Sequence, residues 1–322
     1  MKRYLVAIVG LLALLVSLTG CNAPAATPPP AASTPATAAA PTATAAPAES
    51  ASPWEVVLQT RVKQPVRMAA FLDETFGLTG GPDYAGRAQH TTDGGQTWTM
   101  AEDSAGCLFA LDIVDAQSVW ECNASDVRIS MDGGQTWPGR PGGRGQPFCQ
   151  VSSVDSEVAW YLSPATLETT TDGGTTWEKV NLPAGVLPGR ILAISLRAPK
   201  EGYVLDSAGD LYTTLDGGQS WSSQNLGLKE RYGEMGPLPS GGIAPAAMRF
   251  FDADHGVIVM SLVGGGAGKV VALRTADGGR AWTEENVPVE FGTAYLTRDG
   301  KLLTIHSILN MGQITVLRYT GG

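Results

Sequence analysis

Residues Thr91–Trp98 read TTDGGQTW, and close variants recur at Ser130–Trp137 (SMDGGQTW), Thr170–Trp177 (TTDGGTTW), Thr214–Trp221 (TLDGGQSW) and Thr275–Trp282 (TADGGRAW). Their aspartates, Asp93, Asp132, Asp172, Asp216 and Asp277, are separated by 39, 40, 44 and 61 residues. Four short strands with their turns need about 40 residues, so each copy predicts one blade of a β-propeller. The octet's chemistry is that of a turn. Asp-Gly favours a hairpin because the residues that follow need positive φ, and the carboxylate can accept backbone N–H groups across the bend. The closing residues Trp98, Trp137, Trp177, Trp221 and Trp282 can each bury ~200 Å² between adjacent sheets.

Strand patterns around each octet give five blades, the first two beginning near Arg67 and Cys107. The endings LDETFG, VDAQSVW, VDSEVAW and FDADHG recur at one point in the register. After Trp282 three more strands are expected, near Thr293–Thr297, Lys301–Ser307 and Gln313–Tyr319, with no further octet. At the other end Trp54-Glu55-Val56-Val57-Leu58 reads like the strand after an octet, as in Trp177-Glu178-Lys179-Val180. Placed beside the last three strands it completes a sixth blade and leaves no open seam. The expected fold is therefore an all-β single propeller of six blades, with seven as the alternative. The long interval before Asp277 would then hold an excursion, Leu228–Pro245.

The pattern S/T-x-D-G-G-x-T/S-W resembles the Asp-box, or BNR repeat, of sialidases, xyloglucanases, sortilin-type receptors and the photosystem II assembly and stability factor family; the fifth copy departs from it with Ala281. The resemblance implies that the boxes lie on the face opposite the functional site, so their aspartates are neither catalytic nor metal ligands. The nearest overall likeness, to the photosystem II assembly factors, implies a non-enzymatic protein-binding or assembly role. The alternatives on the same scaffold are a sialidase-like glycoside hydrolase and a carbohydrate- or ligand-binding surface module. A sialidase would need an Arg-Ile-Pro type motif, and Arg61-Val62 and Arg67-Met68 do not match it. Tyr295 and Tyr319 with Glu284, Glu285 or Glu290 are the only Tyr/Glu sets that suggest themselves, and no carboxyl pair declares itself.

The N-terminus predicts an address. Lys2 and Arg3 precede an apolar run from Tyr4 to Val16, and Leu18-Thr19-Gly20 stands directly before Cys21. This resembles the lipobox of bacterial lipoproteins, which implies removal of residues 1–20, acylation of Cys21, and an extracytoplasmic, membrane-anchored protein. Residues 21–53 form a tether: Asn22–Pro53 holds eight prolines and one charge, Glu49. Residues 54–322 are the propeller.

The chain has 22 Lys+Arg against 31 Asp+Glu, a net charge of −9, which argues against nucleic acid as a partner. The partners implied are the membrane through the lipid, and a protein or a cell-surface glycan. The face opposite the boxes gathers the unusual loops Pro138–Pro147, Pro183–Arg190, Leu228–Pro245 and Gly264–Gly268. Its candidate binding residues are Arg67, Arg144, Arg190, Arg231, Tyr232 and Arg249, since arginines grip carboxylates bidentately. Beyond Cys21 the cysteines are Cys107, Cys122 and Cys149. An exported domain favours a disulfide, Cys122 with Cys149 or Cys107, leaving one thiol over. His90, His255 and His306 fall in three blades with no zinc spacing, and no cofactor or metal is expected.

Overall fold

The computed structural model describes residues 52–321 other than 65, 81–86, 103–107, 124–125, 140–147, 234–245, 265–266, 290 and 308–311. The chain divides into two units, 1–49 and 50–322, and every described residue lies in the second. The 21–53 tether and Cys21, Cys107 and Arg144 fall almost wholly outside the described residues.

The strands form six antiparallel sheets, one per blade. Blade I holds Met68–Phe71, Gly77–Gly80, Gln89–Thr91 and Thr99–Met100. Blade II holds Leu108–Ile113, Val119–Asn123 and Val127–Ser130. Blade III holds Gln150–Ser153, Ala159–Leu162, Leu167–Thr170 and Glu178–Lys179. Blade IV holds Ile191–Ala198, Glu201–Asp206, Asp210–Thr214 and Ser222–Asn225. Blade V holds Ala247–Phe250, His255–Gly264, Ala267–Ala276 and Thr283–Asn286. Blade VI joins Gly292–Leu296, Leu302–Ser307 and Gln313–Tyr319 to Trp54–Arg61, which pairs antiparallel with Gln313–Tyr319 from Trp54↔Tyr319 to Arg61↔Gln313. The seven-blade alternative is thereby excluded. The fourth strand expected after Trp137 does not form among the described residues, where Pro138 interrupts the chain and cannot donate to a ladder.

The first strand of each blade touches the first strand of the next, and that of blade I touches blade VI. Six apolar clusters fill the six blade interfaces. Five contain or abut an Asp-box tryptophan, of which Trp137 is fully buried and Trp98, Trp177, Trp221 and Trp282 are half-buried. The sixth, between blades V and VI, contains Trp54, which opens the outermost strand of a blade that has no box. Trp54 therefore occupies the position that a box tryptophan holds in the other five.

The boxes join third to fourth strands and are tied to the loops between first and second strands. The first box glycine of each copy donates its N–H to a carbonyl there: Thr75, Gln117, Glu157, Lys200 and Asp254 respectively. Both glycines of every box have positive φ. The second also needs to be small: a Cβ on Gly134 would sit 2.3 Å from Leu78 of the preceding blade. This is the box face. The opposite, loop face carries the links between blades and the starts of all innermost strands.

Candidate functional site

Each box aspartate accepts hydrogen bonds from its own turn, on both carboxylate oxygens in four of the five copies. Asp93 accepts from the Thr97 hydroxyl and amide and from the Thr91 hydroxyl, and the other boxes repeat the pattern. The Thr97, Thr176 and Ser220 hydroxyls and amides hold Asp93, Asp172 and Asp216 down at about 2. Ala281 has no hydroxyl to give, and Asp277 is lowered chiefly by the Ala281 amide. These carboxylates pin their own turns. Among the described residues no group of three or more His, Cys, Asp or Glu side chains is placed to hold a metal.

The axis of the ring opens on the loop face as a cavity of about 100 Å³ lined by the innermost strands of all six blades. Met68, Phe109, Ile194 and Met248 supply apolar wall, and Gln150, Ser152, Thr293 and Arg249 are its polar residues. Toward the box face the axis is plugged. Arg249 of blade V donates Nη2 to Asp112 Oδ1 of blade II at 2.6 Å, directly across the ring. Asp112 Oδ2 accepts from the Ser153 amide (2.6 Å) and hydroxyl (2.9 Å). Arg298, in the turn after Gly292–Leu296, reaches the same oxygen at 3.5 Å and donates to the Ile113 and Val154 carbonyls and the Ser153 hydroxyl. Burial opposes ionisation of Asp112, but the two guanidiniums outweigh it and hold the carboxyl below its usual range. The Tyr295 hydroxyl accepts the Ile113 amide, and burial pushes its pKa up to about 12.

The rim is apolar and exposed on one side. Phe148, at positive φ and 68% exposed, lies 5.7 Å from Phe109, and the Arg67 guanidinium sits 5.1 Å over the Phe109 ring. Directly beside Phe148, Cys149 pairs with Cys122 in a disulfide that bolts blade III to blade II at the loop-face end. Exposed Leu187 precedes the innermost strand of blade IV on the same face.

The structure thus brings two of the sequence candidates to the axis, Arg249 into the plug and Arg67 onto the rim. Arg190 stands exposed on the loop face at the end of the turn Pro188–Arg190. Arg231 and Tyr232 lie elsewhere. Of the excursion expected at Leu228–Pro245, residues 234–245 lie outside the described residues, and Leu228–Tyr232 is a short helix that buries Leu228 between blades IV and V. The Tyr232 hydroxyl donates to Glu284 Oε2 at 2.6 Å, and Arg231 and Lys269 flank that carboxylate on the outermost strand of blade V. Of the Tyr/Glu candidates, Glu285 accepts the Trp54 indole N–H and the Arg274 guanidinium and lies beside Tyr319, Tyr295 stands at the axis with its hydroxyl on the Ile113 amide, and Glu290 lies outside the described residues, so the described members are not gathered at one site. Asp252 accepts the Asp254 and His255 amides in an ordinary turn. Sequence reasoning missed Asp112, Arg298 and Phe148. An aspartate inside the apolar run Leu111-Asp112-Ile113-Val114 was the available signal.

A family model described as photosynthesis system II assembly factor YCF48 matches residues 112–235, and the BNR/Asp-box repeat model matches residues 89–100. No curated protein matches the chain in sequence. Among solved structures, YCF48 bound to D1 peptide is 18% identical, with 86% of this chain and 99% of that one covered at a TM-score of 0.48. The GH74 xyloglucanase from Xanthomonas campestris is 17% identical, over 83% of this chain and 52% of that one, at 0.48. The WD40 β-propeller domain of Doa1 is 8% identical, over 82% and 96%, at 0.50, and bears on the fold alone. With the box repeats and six sheets, the family matches make this chain a BNR, or Asp-box, β-propeller similar to the photosynthesis system II assembly factor YCF48.

Proposed function

We propose that the protein is a lipid-anchored, extracytoplasmic scaffold that holds a protein partner on its loop face and performs no chemistry on it. The observation that carries the reading is the contrast between the faces at the axis. The loop face opens into a cavity of mixed lining with Phe109 and exposed Phe148 at its edge, whereas the box face is plugged by Arg298 and its hydrogen bonds. Exposed aromatic and aliphatic side chains around a pocket are the composition of binding hot spots. The YCF48 family model supports an assembly role, and the Cys122–Cys149 disulfide suits an oxidising compartment outside the cytoplasm. The resemblance of Leu18–Cys21 to a lipobox supports the anchor, with acyl chains, palmitate among them, carried on Cys21.

The test is affinity capture from membranes with the full-length protein and two double variants. Phe148→Ser with Leu187→Ser alters the loop face; Met131→Ser with Leu215→Ser alters exposed side chains within two boxes. The reading predicts loss of the partner with the first pair only, and release of the protein from membranes by Cys21→Ser. Identical capture by both double variants would overturn it.

A further inference from the structure

We propose that the axial cavity binds a small apolar monocarboxylate, with Arg249 as its anion-binding residue. The inference goes beyond partner binding and does not depend on it.

The charge in the plug does not balance. One carboxylate, Asp112, faces two guanidiniums, Arg249 and Arg298, which leaves a single positive charge at the base of the cavity. Arg298 spends its donors on the Ile113 and Val154 carbonyls, the Ser153 hydroxyl and Asp112, away from the opening. Arg249 does not. It is more than nine-tenths buried and lines the cavity, with Nη2 on Asp112 and Nη1 at a long 3.5 Å from the Ser152 hydroxyl. Its Nε is buried with no hydrogen-bond partner among the described residues. A buried donor without an acceptor is costly, and an unbalanced guanidinium in an apolar surround favours an incoming anion strongly.

The ligand's chemistry follows from the same residues. A single excess charge matches a monoanion, whereas a dianion would leave a buried negative charge of its own. A guanidinium presents a planar fork to a carboxylate. Gln150, Ser152 and Thr293 are the other polar groups of the wall, and Met68, Phe109, Ile194, Met248 and Ala294 give it an apolar stretch that suits a short alkyl chain. A cavity of ~150 Å³ lined by apolar side chains holds benzene, so 100 Å³ takes about four heavy atoms, the carboxylate end of a short chain such as propionate or butyrate whose tail points to the opening. Each added methylene buried raises affinity about fourfold, the equivalent of ~0.8 kcal/mol, until the cavity is full.

The experiment is calorimetric and NMR titration of the full chain with acetate, propionate, butyrate, butyramide and n-butanol. Saturable one-to-one binding is expected for the acids, strengthening from acetate to butyrate, with butyramide and butanol at least tenfold weaker. Arg249→Lys keeps the charge opposite Asp112 but loses the fork, and should weaken butyrate at least tenfold. Ala294→Leu fills the cavity without touching the Arg249–Asp112 pair and should abolish binding while the melting temperature is kept. Should Arg249→Lys fail to fold, Ala294→Leu decides. Butyrate binding no tighter than butyramide, binding unchanged in Ala294→Leu, or no saturation with butyrate would overturn the proposal.

Discussion

Trp54 takes the place of a sixth box tryptophan, and removing it tests whether the N-terminal strand holds blade VI together. Its indole is 2% exposed in the cluster between blades V and VI and meets Tyr319 edge-on at 5.2 Å. The indole N–H donates to Glu285 Oε2 at 2.9 Å, while Glu285 Oε1 accepts from Arg274 at 2.8 Å. The Arg274 guanidinium in turn lies 3.5 Å over the Tyr319 ring. Truncating a buried tryptophan to alanine costs about 3–5 kcal/mol. Leaving one oxygen of Glu285 without its donor adds about 1 kcal/mol, because Arg274 still balances the charge. Trp54→Ala should therefore lose about 4–6 kcal/mol, a large fraction of the roughly 5–15 kcal/mol that separates folded from unfolded domains. Trp54→Phe keeps a ring and loses the hydrogen bond and part of the area, for about 1–2 kcal/mol. Val56→Ala, at a position 40% exposed on the same strand, should cost well under ~1 kcal/mol. Guanidinium denaturation followed by circular dichroism measures all three. A loss below ~1 kcal/mol for Trp54→Ala would refute the structural role assigned to this strand.

Gly134 and Gly185 have nearly the same φ, +85° and +87°, but only Gly134 has a neighbour in the way. Alanine at either pays the left-handed strain of ~1–2 kcal/mol, and Gly134→Ala should cost a further ~1–3 kcal/mol for overpacking Leu78, read by the same denaturation. The Cys122–Cys149 bridge spans 27 residues, for which chain entropy gives ~3–4 kcal/mol; reduction should lower stability by about that amount, with no change in a Cys122→Ala, Cys149→Ala double variant. Burial holds the His306 pKa down to about 4 from 6.5, so the unfolded chain takes up the proton first. That contribution is fully present above pH ~6.5 and is lost as pH falls toward 4, at up to ~1.4 kcal/mol per pH unit; His306→Gln should flatten this part of the stability–pH curve.

The fold was legible because the box states its requirements locally. Two positive-φ glycines, an aspartate with hydroxyls at fixed offsets and a closing tryptophan specify a turn without reference to the rest of the chain. The register signal was equally local: Asp73, Asp115, Asp155 and Asp252 each accept the amides two and three residues on, which is why LDETFG and its relatives recur. The site was legible only in part, because it is made at a distance. Arg249 and Asp112 are 137 residues apart in sequence and meet only when six blades surround an axis. Arg231 and Tyr232 read as binding residues in a loop. Their helix forms because Leu228 finds an apolar gap between two blades, and their polar groups then settle on Glu284. The pairing of Cys122 with Cys149 rather than Cys107 likewise depends on which strand ends the ring brings together.

The assignment of function to the loop face is tested most directly by site-specific photo-crosslinking on intact membranes. A photoreactive residue is placed in turn at Phe148 and Leu187 on the loop face and at Met131 and Leu215 within boxes, all four exposed. The account predicts crosslinks to one partner from Phe148 and Leu187 and none to it from Met131 and Leu215. Crosslinks to that partner from the box positions, with the loop-face positions silent, would contradict it.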